Sequence, residues 1–148
     1  MKKITLISIL PVLASLIAAP QSVSAHDANG SLGASRAAMD YYQVKCYDDG
    51  NGAGSTGRLE VKIKDLSPVA KPLISVQVIR DNIAKNTTDA VDANAAYSPL
   101  ISFNGGDGFF YMTVDKTAAG VENYSVAYHC LSPSGEHVGT DIFQLTDQ

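Results

Sequence analysis

Tryptophan is absent from the 148 residues, aromatic side chains make up 7 % of the chain, and there are only two cysteines and three histidines. Without Trp, and with the Tyr residues largely claimed by strands, a flat aromatic platform for a polymer substrate is not expected. Lys and Arg total 11 against 15 acidic residues and are nowhere clustered, which excludes a phosphate-backbone partner and so nucleic-acid binding. The patterns G-x-S-x-G, H-E-x-x-H and G-x-x-x-x-G-K-[ST] are all missing, which removes the common hydrolytic and phosphate-cradling signatures. After residue 25 no apolar run approaches the length of a membrane-spanning helix.

What is present first is a leader. Lys2 and Lys3 precede an apolar run over residues 4–19, and a polar stretch then ends in Val23-Ser24-Ala25, with small residues at the −3 and −1 positions of a signal-peptidase cut. The run is too short to anchor the chain and contains Pro11. The expectation is a signal peptide over 1–25, a mature chain beginning at His26, and a periplasmic or secreted protein without a stable membrane anchor. Cleavage removes Lys2 and Lys3 and no acid, leaving 9 basic against 15 acidic residues, a formal charge of −6.

Export makes the cysteines legible. Cys46 and Cys130 lie near opposite ends of the mature domain, as a structural disulfide in an oxidising compartment would. A thiolate metal site is the alternative, whereas a redox pair would be close-spaced as C-x-x-C. Closing a loop of this length constrains the unfolded chain by about 4.6 kcal/mol.

Residues 26–38 (HDANGSLGASRAA) are small, polar and Gly-rich, without a periodic apolar signal, and read as a flexible N-terminal arm before a domain over 39–148. Period-2 alternation then marks strands: Tyr42, Val44 and Cys46; Leu59, Val61 and Ile63; Ile74, Val76 and Val78. Residues 97–103 read as an edge strand because of Pro99, and 109–115 follow a Gly-rich turn. Tyr124, Val126, Tyr128 and Cys130 share one face, with Ser125, Ala127 and His129 on the other, and 140–145 form the last strand. Residues 48–57 are a long Gly-rich hairpin loop, and 82–94 read as the longest loop, with room for a short helical turn.

About seven short strands without a convincing helix predict an all-β antiparallel β-sandwich with one disulfide. The triplet Tyr128-His129-Cys130 resembles the tyrosine corner of immunoglobulin-type domains, in which a Tyr two residues before the second Cys bonds back to the backbone. The resemblance covers one strand and implies an immunoglobulin-like sandwich. The core Trp of antibody domains is missing.

His26 carries the sharpest chemistry. A mature N-terminal His offers an α-amine and an imidazole, and a second His would complete a site similar to the histidine brace that holds copper on sandwich folds in lytic polysaccharide monooxygenases and some copper-binding proteins. His129 and His137 are the candidate partners, and nitrogen ligands of this kind suit Cu(II). Against this stands the placement of His26 on an apparent arm, which leaves His129 an exposed strand residue and His137 a loop residue. Calcium is a second option, through Asp48, Asp49 and Asn51 in one loop or Asp89, Asp92 and Asn94 in another, although neither matches the EF-hand pattern. The leading expectation is a small exported, non-enzymatic binding or interaction domain for a protein or small ligand, with loops 48–57 and 82–94 as its contact surfaces. The alternative is a periplasmic copper-binding protein built on His26.

Overall fold

The computed structural model describes residues 26–66, 72–92, 94 and 96–148. The expected signal peptide lies outside the described residues. Nine strands occur among them: β1 (His26–Leu32), β2 (Asp40–Tyr47), β3 (Arg58–Leu66), β4 (Ile74–Arg80), β5 (Ile83–Thr88), β6 (Ile101–Asn104), β7 (Gly108–Lys116), β8 (Glu122–Leu131) and β9 (Gly139–Thr146). They form two antiparallel sheets, one ordered β1-β8-β3-β6 and the other β5-β4-β7-β2-β9. The fold is therefore an all-β sandwich.

Alternation places the core. Leu59, Val61 and Ile63 of β3, Tyr124, Val126 and Cys130 of β8, Val44 and Cys46 of β2, Val76 and Val78 of β4, and Phe110 and Met112 of β7 meet between the sheets. Each strand spends one face on this layer, at about 25 cal/mol per Å² of apolar surface removed from water. Cys46 on β2 and Cys130 on β8 are disulfide-bonded across the layer, with Cα atoms 5.6 Å apart.

Two of the nine strands differ from the sequence expectation, and each has a physical reason. The segment expected to be a flexible arm over 26–38 instead begins with β1, which pairs with β8 from His26 opposite Tyr128 to Leu32 opposite Glu122. Its inward positions are His26, Ala28, Gly30 and Leu32, and its outward ones Asp27, Asn29 and Ser31. The alternation is real but is written in residues too small or too polar to register as apolar. Gly30 is required there, since a Cβ would collide with the Tyr124 phenol beneath it. The second is β5, inside the expected loop 82–94. It is mostly exposed and pairs only with β4 through a tight turn at Asp81, whose φ is 55°. An edge strand of this kind needs no apolar face.

The expected edge strand over 97–103 is shorter, Ile101–Asn104, and does lie at a sheet edge. The buried hydrogen-bonded tyrosines are Tyr42 and Tyr124. Tyr124 donates to Asp40 Oδ2 at 2.5 Å and shares a 2.5 Å bond with the Tyr42 hydroxyl, while Asp40 Oδ1 accepts from the Gln148 amide at 2.9 Å. Burial, first of all, pushes the Tyr124 hydroxyl well above the ordinary tyrosine range, so it stays protonated as the donor to Asp40. Tyr128 faces the His26 ring, at 5.9 Å between centroids.

Candidate metal centre

Three elements bring the three histidines together. His26 is the first residue of β1, opposite Tyr128, so β1 covers β8 only up to the residue before His129. His129 follows the rule that a residue next to an inward cysteine points away from it: Cys130 is fully buried and His129 half-buried. His137 enters from the far side of the Ser132-Pro133-Ser134-Gly135-Glu136 turn, where it bridges Leu131 and so lies diagonal to His129. That turn is closed by the Ser132 amide donating to Glu136 O at 2.8 Å and the Glu136 amide donating to Ser132 Oγ at 3.1 Å. Gly135 supplies the positive φ of 90° that the turn needs.

The His129 and His137 rings meet edge to face with centroids 4.9 Å apart, and the His26 ring lies 6.1 Å and 6.4 Å from them. One ring nitrogen from each falls within 4.8 Å of the others, so the group could hold a metal ion. Three nitrogens spaced at that limit lie about 2.8 Å from their common centre, so the rings reach the about 2.0 Å of a metal–nitrogen bond with movements of about 1 Å each. All three sequence candidates are thus brought into one place. The flexible arm that argued against His26 is a paired strand end.

The electrostatics suit ligation. Burial first, then the neighbouring His137 and His26, lowers the His129 pKa against smaller opposing pulls from Asp27. Burial and His26 likewise lower that of His137, with Glu60 opposing. Both shifts favour the neutral imidazole, the form that binds metals. His26 Nδ1 and His129 Nδ1 are buried without a hydrogen-bond partner among the described residues, a costly state for a polar atom unless another group uses it.

The Gly-rich loop 48–57 supports the centre from outside. Asn51 Nδ2 donates to the His137 carbonyl at 2.9 Å, and the Asn51 side chain is itself held by the Ala53 amide at 2.8 Å. The Gly57 amide donates to Leu131 O at 2.7 Å, tying the loop's end to β8. Asn51, Gly52, Ala53, Glu136 and His137 line an open recess beside the histidines, a way in from solvent. A larger recess, lined by Asn29, Gly30, Tyr124 and Asp147 among others, lies away from the histidines. It gathers no set of ligating groups among the described residues.

The acidic loops behave differently from the calcium option read in the sequence. Asp48 accepts from the Gly50 amide at 2.9 Å and Asp49 from the Asn51 amide at 3.2 Å, so these side chains brace their own turns. Asp92 leaves its loop companions Asp89 and Asn94 and joins two strand carboxylates, Asp65 and Glu122. Sequence reasoning missed that second group. The signal was in the strand parity: Asp65 continues the inward row Leu59, Val61 and Ile63, and Glu122 begins the inward row Tyr124, Val126, Tyr128 and Cys130.

No protein-family model matches the chain, and a search of curated proteins finds no match. Among the described residues no helix is long and apolar enough to cross a membrane.

Proposed function

We propose that the mature chain is an exported, non-enzymatic Cu(II)-binding domain of the periplasm or the medium, with His26, His129 and His137 as its ligands. The observation that carries this reading is the convergence of one nitrogen from each histidine within 4.8 Å. A sandwich held by a disulfide gives these side chains rigid supports, and a disulfide fits an oxidising compartment.

Cleavage after Ala25 supplies the missing donor. His26 then presents its α-amine together with Nδ1, and the two close a six-membered chelate ring on one metal, a geometry Nε2 cannot reach. Nδ1 of His26 is buried without a hydrogen-bond partner among the described residues. With His129 and His137 the donor set becomes four nitrogens, which suits the tetragonal preference of Cu(II). Four nitrogens also fill the positions in which a redox enzyme would bind oxygen or substrate, which supports carriage or scavenging over oxygen chemistry. The immunoglobulin-like kinship of the sandwich belongs to the same proposal, supported by the inter-sheet disulfide.

The test begins with the intact mass of the exported protein, expected to fit a chain starting at His26. Loaded with Cu(II) and dialysed, it should give a tetragonal electron paramagnetic resonance spectrum with nitrogen splitting. One glycine added before His26 should weaken copper binding at least about 100-fold, because the amine moves away from the imidazole. A mature chain that starts elsewhere, or an unchanged affinity in the extended protein, contradicts the proposal.

A further inference from the structure

The other end of the same strand pair holds three carboxylates that the copper reading does not use. Asp65 on β3 and Glu122 on β8 are both fully buried, and Asp92 reaches them from the segment after β5. One oxygen from each lies within 4.8 Å of the others. Five oxygens of the three residues are buried without a hydrogen-bond partner among the described residues: both of Asp65, both of Glu122 and Oδ1 of Asp92. The Leu66 amide lies near Asp65 without making a hydrogen bond of normal geometry. Buried carboxylates that repel one another and lack donors are a large cost unless a cation or protons neutralise them.

Among the described residues, protein groups meet little of that need. Asp89, the adjacent acid, is occupied, accepting from the Asp65 amide at 2.8 Å and the Val91 amide at 3.2 Å. Burial first, then Asp92, pushes the Glu122 pKa up; Lys116, a nearby cation, opposes this, but its ammonium donates to the carbonyls of Gly33 and Gly120. No ion pair joins it to the three carboxylates among the described residues.

We propose that Asp65, Asp92 and Glu122 form a calcium site that locks the β3–β8 end of the sandwich. Hard oxygens exclude a thiolate- or imidazole-seeking metal, and the choice among hard cations follows from burial. Calcium takes several carboxylate oxygens at about 2.3–2.6 Å, so oxygens across it stand up to about 5 Å apart, which contains the observed spread. Magnesium keeps its waters and demands a smaller octahedron, which suits a buried, carboxylate-rich site less well. The ion would also join the segment after β5 to β3 and β8, tying one sheet's edge connection to the other sheet.

The test uses the exported protein stripped with a chelator and then exchanged into chelator-free buffer. Millimolar calcium should raise Tm by at least about 5 °C, with one ion bound per chain by titration calorimetry, and magnesium at equal concentration should raise it less. D65N and E122Q should each abolish the calcium shift. At about pH 8, above the Asp65 pKa, each removes a buried repulsive charge, so neither should unfold the calcium-free chain, and D65N should melt above the calcium-free wild type. A protein lacking His129 and His137 should keep the full calcium response, which separates this site from the copper reading. The absence of any calcium shift in the wild type, an equal shift with magnesium, or an undiminished shift in both variants overturns the proposal.

Discussion

The β1–β8 ladder has a nitrogen end and an oxygen end, about 23 Å apart along β8. At the first, His26 opens β1 beside His129 and His137, half-buried and open to solvent through the recess at Asn51. At the second, Leu32 closes β1 opposite Glu122, and the acids Glu122 and Asp65 are sealed in the inter-sheet layer. Burial acts with opposite effect on the two. It lowers the pKa of His129 and His137, favouring the neutral form that binds metal. It raises that of Asp65 to about 7, together with Glu122, Asp92 and Asp89, disfavouring the charged form that would bind. Burial thus favours the ion-binding form of His129 and His137 and disfavours that of Asp65.

Breaking the frame common to both ends should have the largest effect. Replacing Cys46 and Cys130 by Ala is expected to cost about 2–5 kcal/mol in chemical denaturation, and because the bond joins the two sheets both ends should loosen together. Loss of copper affinity with an unchanged unfolding midpoint would mean that the frame is held by something else.

The next effect separates the ends by pH. The folded pKa of Asp65, about 7, lies above its ordinary 3.8, so between those values the folded state binds more protons than the unfolded one. The calcium-free protein should therefore lose on the order of 1–3 kcal/mol as pH rises through that window. Glu122, Asp92 and Asp89 face Asp65 and act in the same direction, with Lys116 opposing at Glu122. The histidine end runs the other way: His129 and His137 have folded pKa values below the ordinary 6.5, so their contribution is lost as pH falls below it. D65N should flatten the first slope and leave the second, as read by denaturation midpoints across pH.

Gly30 lies between the two ends. G30A should force β1 off the Tyr124 ring, costing about 1–2 kcal/mol and weakening copper binding through His26. Calcium binding, whose ligands lie on β3, β8 and the segment after β5, should change less. The smallest effect belongs to Asn51: N51A removes one hydrogen bond to the His137 carbonyl, and about 0.5–1.5 kcal/mol of copper affinity should go with it.

These positions also explain what could be read from the chain alone. Tyr42, Val44 and Cys46, or Leu59, Val61 and Ile63, announce their strands because each inward residue is large and apolar, and the disulfide follows from two cysteines on such faces. β1 is hidden because His26, Ala28 and Gly30 fill inward positions without apolar bulk. The histidine partners were legible as residue types, but their meeting depends on the Leu131 and His137 bridge, a long-range fact. The carboxylate group was hidden by habit: Asp65 and Glu122 fall on the apolar parity of their strands, where an acid reads as the end of a strand instead of its inward continuation.

The most direct measurement is a crystal structure of the copper-loaded mature protein with anomalous scattering recorded at the copper edge. The account predicts one strong peak about 2 Å from His26 Nδ1, the His26 α-amine and a ring nitrogen of His129 and of His137. A peak elsewhere on the surface, or one that leaves the His26 amine and Nδ1 unengaged, would contradict it.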